Sequence, residues 1–134
     1  MFNVLDIGAS GLAAQRARLD VISANIANAS TTRDADGKPN PFRRRLAIFA
    51  EGRADDRSAP GVHVQQIKLD PSPFVTKYEP GHPDADAQGY VQYPNVDLSV
   101  EYVNALEASR AYEANVTMME TTKAMLNSSL RLLA

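Results

Sequence analysis

Large aliphatic residues recur in heptad register at both ends of the chain, as Leu5, Leu12, Leu19 and Ile26 near the start and from Leu98 to Leu133 near the finish. All eight prolines lie between these two seams, from Pro39 to Pro94. Proline lacks the backbone donor and clashes with the preceding helical turn, so the middle cannot be one helix, whereas both ends are free to be long ones. The pattern predicts an α+β chain with two coiled-coil halves, at 1–29 and 97–134, around a small Pro/Gly-rich β region at 30–96. Such a layout suits a part that assembles better than it suits an enzyme.

Stepping by threes and fours from Leu5 gives an N-terminal seam of Leu5, Leu12, Leu19, Ile22 and Ile26, interrupted by Gly8 and Gln15. Alanines at 9, 13, 14, 17, 24 and 27 surround it, and their small side chains favour helix and allow close approach. Gly8 and Gly11 weaken the first turns as helix formers. Asn25 and Asn28 mark the exit, followed by Ser30, Thr31 and Thr32.

The C-terminal seam runs through Leu98, Tyr102, Tyr112, Val116, Met119, Leu126, Leu130 and Leu133, with Ser109 and Lys123 as its polar members. Asp97 is placed to cap a helix start, and Glu101 sits where the helix dipole favours a carboxylate. No glycine or proline intervenes from there to Leu133. A single helix pair of this kind is marginal alone, because its apolar stripe is too wide for one neighbour to cover; the ends are therefore expected to order on assembly.

In the middle, Arg45 to Glu51, Gly61 to Leu69 and Phe74 to Tyr78 have strand-like composition, and Gly89 to Tyr93 adds a fourth short candidate. Asp70, Pro71 and Pro73 force a break before Phe74. Glu79 to Asp86 brings together one histidine and three carboxylates, enough in principle for a metal. Pro80, Gly81 and Pro83 make a rigid turn the better reading, with His82, Asp84 and Asp86 bonding locally. Asp34-Ala35-Asp36-Gly37 is a turn as well, because the glutamate of a calcium loop is missing and Arg45 stands in its place. The alternative overall is a small soluble module that holds a metal or ligand at the Glu79 to Asp86 turn and dimerises through its helices.

Other chemistry is thinly represented. The chain has no cysteine, so disulfides, thiolate metal sites and cysteine nucleophiles are excluded. Its only histidines, His63 and His82, lie in the proline-rich middle with no nucleophile elbow, so no catalytic residue, no metal ligand set and no cofactor is assigned. Net charge is −2, and Arg43-Arg44-Arg45 is the one basic run, which reads as a solvated edge or a subunit salt bridge; no nucleic-acid partner is expected. The N-terminus lacks the basic start and apolar block of a secretory signal, and charges interrupt every hydrophobic stretch, so neither a cleaved leader nor direct membrane insertion is expected.

Ala9-Ser10-Gly11-Leu12 with Ser23 to Ala29 resembles the N-terminal signature of bacterial flagellar axial proteins. Asp70 to Phe74, Tyr78 to Asp86, Gly89-Tyr90-Val91, Pro94-Asn95-Val96 and Arg110 to Asn115 are similar to the flagellar basal-body rod protein family, in particular its proximal rod branch. The resemblance runs from about Asn3 to the C-terminus and weakens between Asp34 and Pro60.

This resemblance implies a non-enzymatic subunit of the proximal rod, a torque-transmitting drive shaft in the periplasm. Its two terminal helices would pair as an antiparallel coiled coil in one helical rod domain. It further implies export through the flagellar type III apparatus without a cleaved signal peptide. The implied neighbours are copies of the chain, other proximal and distal rod subunits, and the protein joining the rod to the export gate. By the same resemblance Asn25 and Asn28 match the family's asparagine motif, and Arg110, Tyr112, Glu113 and Asn115 its C-terminal motif.

Overall fold

The computed structural model describes residues 2–134. Helices α1 (Phe2–Ala27) and α2 (Leu98–Leu133) flank four strands: β1 (Arg45–Glu51), β2 (Val62–Leu69), β3 (Val75–Tyr78) and β4 (Tyr90–Tyr93). The fold class is thus α+β. Asp97 is extended and its Oδ1 accepts from the amides of Ser99 at 2.9 Å and Val100 at 3.4 Å, satisfying donors that a helix start leaves free. At the end of α1, Asn28 Nδ2 donates to the Ala24 carbonyl at 2.8 Å, and the chain turns away.

The helices lie side by side and run in opposite directions. Gly8 faces Met118 and Met119, Gly11 faces Asn115, Arg18 reaches Glu107, and Asn25 meets Glu101. A Cβ at Gly8 would sit 2.7 Å from Met119 Cγ, and one at Gly11 2.8 Å from Asn115 Nδ2. From sequence these glycines are only a cost to helix formation; in the fold they let the two helices come close.

β1 and β2 form an antiparallel hairpin, with Arg45 opposite Leu69, Glu51 opposite Val62, and a register shift between Ile48 and Phe49. This hairpin packs on α1, which therefore lies between it and α2. Ser10 stitches the contact: its Oγ donates to the Ile7 carbonyl at 2.7 Å and accepts the Val62 amide at 3.1 Å.

β3 and β4 form a second two-stranded antiparallel sheet, with Val75 opposite Tyr93 and Tyr78 opposite Tyr90. Among the six elements these two strands pack on each other alone. Loops tether them to the rest.

The fully buried side chains are few and mostly small. Among the described residues Ala14, Ile22, Val91 and Ala108 are the buried hydrophobic ones, Pro94 is fully buried too, and Asn25 and Glu101 are the buried polar ones. A core of this size leaves much apolar surface uncovered.

Candidate assembly surface

Apolar side chains are exposed in two clusters on α2, one near each end. Tyr102, Val103 and Leu106 are more than half exposed near its start, and Met125, Leu130, Leu132 and Leu133 near its end, with Leu132 at 88%. Isolated exposed aliphatics are ordinary, but clusters of them are characteristic of surfaces used in protein contacts. Val4 and Ile7 on α1 are also exposed.

The face that α2 turns to α1 is smaller and more polar than a leucine seam. Glu101 and Ala108 are buried, and Ala105, Tyr112, Asn115, Met119, Thr122 and Leu126 are half-buried. These positions are spaced by fours and threes, and Asn104, Ser109, Ala111, Val116, Met118 and Ser129 beside them are half-buried as well. Of the seam residues read from sequence, Tyr112, Val116, Met119 and Leu126 are half-buried, while Leu98, Tyr102, Leu130 and Leu133 are exposed. On α1, Ile22 is buried and Leu5, Leu12, Leu19 and Ile26 are half-buried. The greasy stripe on α2 is thus wider than the strip α1 covers, and its two ends lie open.

Beneath this surface a polar clasp joins α1, α2 and the middle region. Asn25 Nδ2 donates to the Arg45 carbonyl at 2.9 Å while Asn25 Oδ1 accepts the Arg45 amide at 2.9 Å, so the side-chain amide acts as a strand neighbour for the first residue of β1. Asn25 Nδ2 also lies 3.3 Å from Glu101 Oε2. Glu101 in turn accepts from Arg44 Nε, and Arg44 Nη1 donates to Asp70 Oδ2 at 3.1 Å.

Asn95 and Arg43 complete the clasp. Asn95 Oδ1 accepts the Arg44 amide at 2.9 Å, and its Nδ2 donates to the carbonyls of Asp70 and Ser72 at 3.2 and 3.0 Å. Arg43 donates to the same two carbonyls, and its guanidinium lies 4.2 Å from the Phe74 ring centre.

Burial by itself would lower the Arg44 pKa, but hydrogen bonds to Glu101 and Asp70 overcome it and hold the guanidinium above its ordinary value. The Asp70 carboxyl is held below its usual value, chiefly by the Ser72 hydroxyl and amide, with Arg44 assisting against burial. A buried carboxylate compensated on both oxygens is tolerated; one deprived of its cation is not.

Two arginines of the basic run, Arg43 and Arg44, are therefore engaged inside the chain rather than at a solvated edge, whereas Arg45 is exposed beside the Phe42 ring. Glu101 does more than complement the helix dipole. Its signal in the sequence was its place: four residues before Ala105 and seven before Ala108, it is a charge on the stripe that α1 covers.

Around Pro71 and Pro73, Asp70 Oδ1 accepts the Ser72 amide and hydroxyl, closing a local turn. Around Pro80, Gly81 and Pro83, Asp86 Oδ1 accepts the amides of Gln88 and Tyr90, and His82 Nδ1 accepts the Asp84 amide at 3.0 Å. Asp84 reaches further: the Thr32 hydroxyl and Arg33 Nε both donate to it at 2.7 Å, anchoring the second sheet to the segment after α1. The Thr32 hydroxyl is the main cause of its lowered pKa, ahead of Arg33. Glu79 accepts from Tyr93 Oη at 2.7 Å. These carboxylates point to separate donors, and among the described residues no three His, Asp or Glu side chains converge as a metal ion requires.

Of the C-terminal motif, Asn115 lies against Gly11 and Tyr112 is half-buried. Arg110 and Glu113 are exposed and form no ion pair with each other. Gln15, the polar break in the N-terminal seam, has its Oε1 buried without a hydrogen-bond donor among the described residues.

A family described as flagella basal body rod protein matches residues 5–33, and one described as flagellar basal body rod FlgEFG protein C-terminal matches residues 87–132. Helices at both ends, small sheets between them and these two matches define the class as flagellar basal-body rod proteins.

Similarity over the whole length narrows the class. The chain is 43% identical over 150 aligned positions to the flagellar basal-body rod protein FlgC of Borreliella burgdorferi, covering 99% of this chain and 97% of that one. FlgC of Yersinia enterocolitica is 42% identical and FlgC of Salmonella typhimurium 41%, each covering 98% of this chain and 97% of the relative. The chain belongs to the FlgC family of rod proteins. It is a structural protein and not an enzyme.

Proposed function

We propose that this rod subunit assembles through its terminal helices, which act as a coiled-coil pair whose outer apolar rows are buried by neighbouring subunits of the proximal rod. The observation that carries this reading is the exposure of Tyr102, Val103, Leu106, Leu130, Leu132 and Leu133 along one 36-residue helix. Copies of the chain and other proximal and distal rod subunits are the occupants the family relationship supports, along with the protein that joins the rod to the export gate. Contacts that repeat without closing a ring build a helical shaft, the form a torque-transmitting rod requires.

The same relationship supports delivery through the flagellar type III apparatus without a cleaved signal peptide, and residence in the periplasmic part of the basal body. No helix among the described residues is long and apolar enough to cross a membrane.

A chain carrying Leu130→Asp with Leu133→Asp tests the assembly surface directly. It is expected to fold as before but to be missing from purified basal bodies and to leave cells non-motile, since two carboxylates would enter an apolar contact. Normal swimming with the doubly substituted chain present in the rod would overturn the reading.

A further inference from the structure

The fold leaves two members of the C-terminal motif unused. Arg110 and Glu113 are exposed on α2, and neither forms an ion pair among the described residues. Arg16 and Asp20 on α1 are in the same position: both are exposed, and although four residues apart they form no ion pair with each other. Helical periodicity places Arg16 and Asp20 on the side of α1 opposite the buried Ala14, Ile22 and Asn25, together with the exposed Ala13, Ser23 and Ala27. Likewise Leu106, Arg110, Glu113 and Thr117 are exposed on the side of α2 opposite the buried Glu101 and Ala108. Among the elements α2 packs on α1 alone, so this outer face has no cover within the chain.

Laid antiparallel, these two outer faces match in charge and in size. With Ala13 opposite Thr117, Arg16 comes beside Glu113 and Asp20 comes opposite Arg110, so both charges meet their opposites in one register. The same register sets the small side chains of Ser23 and Ala27 against the exposed Tyr102, Val103 and Leu106. Sliding one face by a turn in either direction brings Asp20 to Glu113 or Arg16 to Arg110, like against like. Ion pairs at a surface contribute little free energy by themselves, but they decide which register is allowed. The hold comes from covering Tyr102, Val103 and Leu106.

We propose that the outer face of α1 seats a second copy of this chain, taking the outer face of the neighbour's α2 antiparallel, with Arg16 at Glu113 and Asp20 at Arg110. This inference rests on the reading that the chain assembles through its terminal helices, and names for it the partner and the register. Since α1 and α2 run in opposite directions within one chain, an antiparallel contact between chains keeps every copy pointing the same way. Each copy uses one face on each side, so the contact repeats instead of closing into a pair. Leu130, Leu132 and Leu133 extend past the start of α1 in this register and stay open to subunits of other kinds.

Paired cysteines read the register directly, because the chain has none of its own. In purified basal bodies, Ala13→Cys with Thr117→Cys is expected to give disulfide-linked copies of the chain after mild oxidation. The two positions point away from each other within one subunit, so the link must join two. Ala13→Cys with Ala124→Cys, displaced by about two turns, should give none. In cells, Arg110→Asp with Glu113→Arg should shrink the motility halo by at least about half, since like charges then face each other. Adding Arg16→Glu with Asp20→Arg should restore it.

Rods that contain the chain with Ala13→Cys and Thr117→Cys but yield no linked copies would overturn the proposal, another subunit then covering these faces. Equal linking from the pair at 13 and 124 would overturn it too. So would a fully swapped chain that swims no better than the one reversed on α2 alone. None of these results touches the rod reading, which fails only if the unsubstituted chain is absent from basal bodies.

Discussion

The clasp end and the open end of the helix pair show two ways of holding the same two helices. At Asn25 and Glu101 the contact is polar, buried and saturated with hydrogen bonds; toward Leu133 it is apolar and largely uncovered. Polar interlocks are directional and fail sharply when one member is lost, so they fix a single arrangement within the chain. Apolar rows are non-directional and tolerate different covers, so they suit contacts with neighbours that are not identical. The molecule uses specificity inside and stickiness outside.

Removing one member of the clasp should do the most damage. Glu101→Ala leaves the Arg44 cation facing a cavity and is expected to destabilise the folded chain by about 3–5 kcal/mol. Urea denaturation would measure the loss. A cost near zero would mean that the clasp is ornamental, and the contrast between the ends would collapse.

Forcing the helices apart comes next. Gly11→Val inserts a branched side chain where even a Cβ would lie 2.8 Å from Asn115 Nδ2, and about 1–3 kcal/mol should be lost in thermal unfolding. Close approach is then shown to matter between the clasp and the open end.

Acid should act on the clasp side and the loop anchors together. Asp70 and Asp84 sit below their ordinary value of 3.8, held there by Ser72 and Thr32 respectively before Arg44 and Arg33 contribute. Groups with depressed folded values stabilise fully above the unfolded value and lose that contribution as pH falls through the folded one. Stability is therefore expected to be flat above about pH 5 on this account and to fall below about pH 4. Asp70→Asn with Asp84→Asn should flatten that fall in a pH series of melting curves.

Changes at the open end should barely register in the isolated chain. Leu132→Ala removes an 88% exposed side chain and is expected to shift stability by no more than about 0.5 kcal/mol. The same substitution should weaken rod assembly in cells, and a motility halo assay would reveal it. A large stability loss in the isolated chain would show that α2 is already covered by itself.

His82→Ala should be the mildest of all for motility. The imidazole accepts one local amide and stands beside Tyr93, with ring centres 6.2 Å apart. A motility halo close to that of the unsubstituted strain is the expected outcome.

Much of this layout was legible in the order of residues. Proline confined to one stretch leaves helix to the ends, and strand segments expected at 45–51, 61–69, 74–78 and 89–93 fold as Arg45–Glu51, Val62–Leu69, Val75–Tyr78 and Tyr90–Tyr93. Asp97 begins α2 because its side chain supplies what the first amides lack. These are local matters, set by backbone chemistry over a few residues. The rotation of α2 against α1 was not local. A heptad pattern says that a stripe is apolar, but a stripe wider than its cover can be approached from several angles, and the glycine contacts with the clasp chose among them.

The sequence by itself determined which segments are helix, strand and turn, where they begin, and to which family of rod proteins the chain is similar. Only the tertiary structure decided that Arg44 belongs to Glu101 and Asp70, and that Asn25 serves β1. The same holds for Leu130 and Leu133, which face outward. Partners 57 and 26 residues apart leave no periodic trace in the chain, because their attraction depends on distance and burial that exist only once the elements have packed.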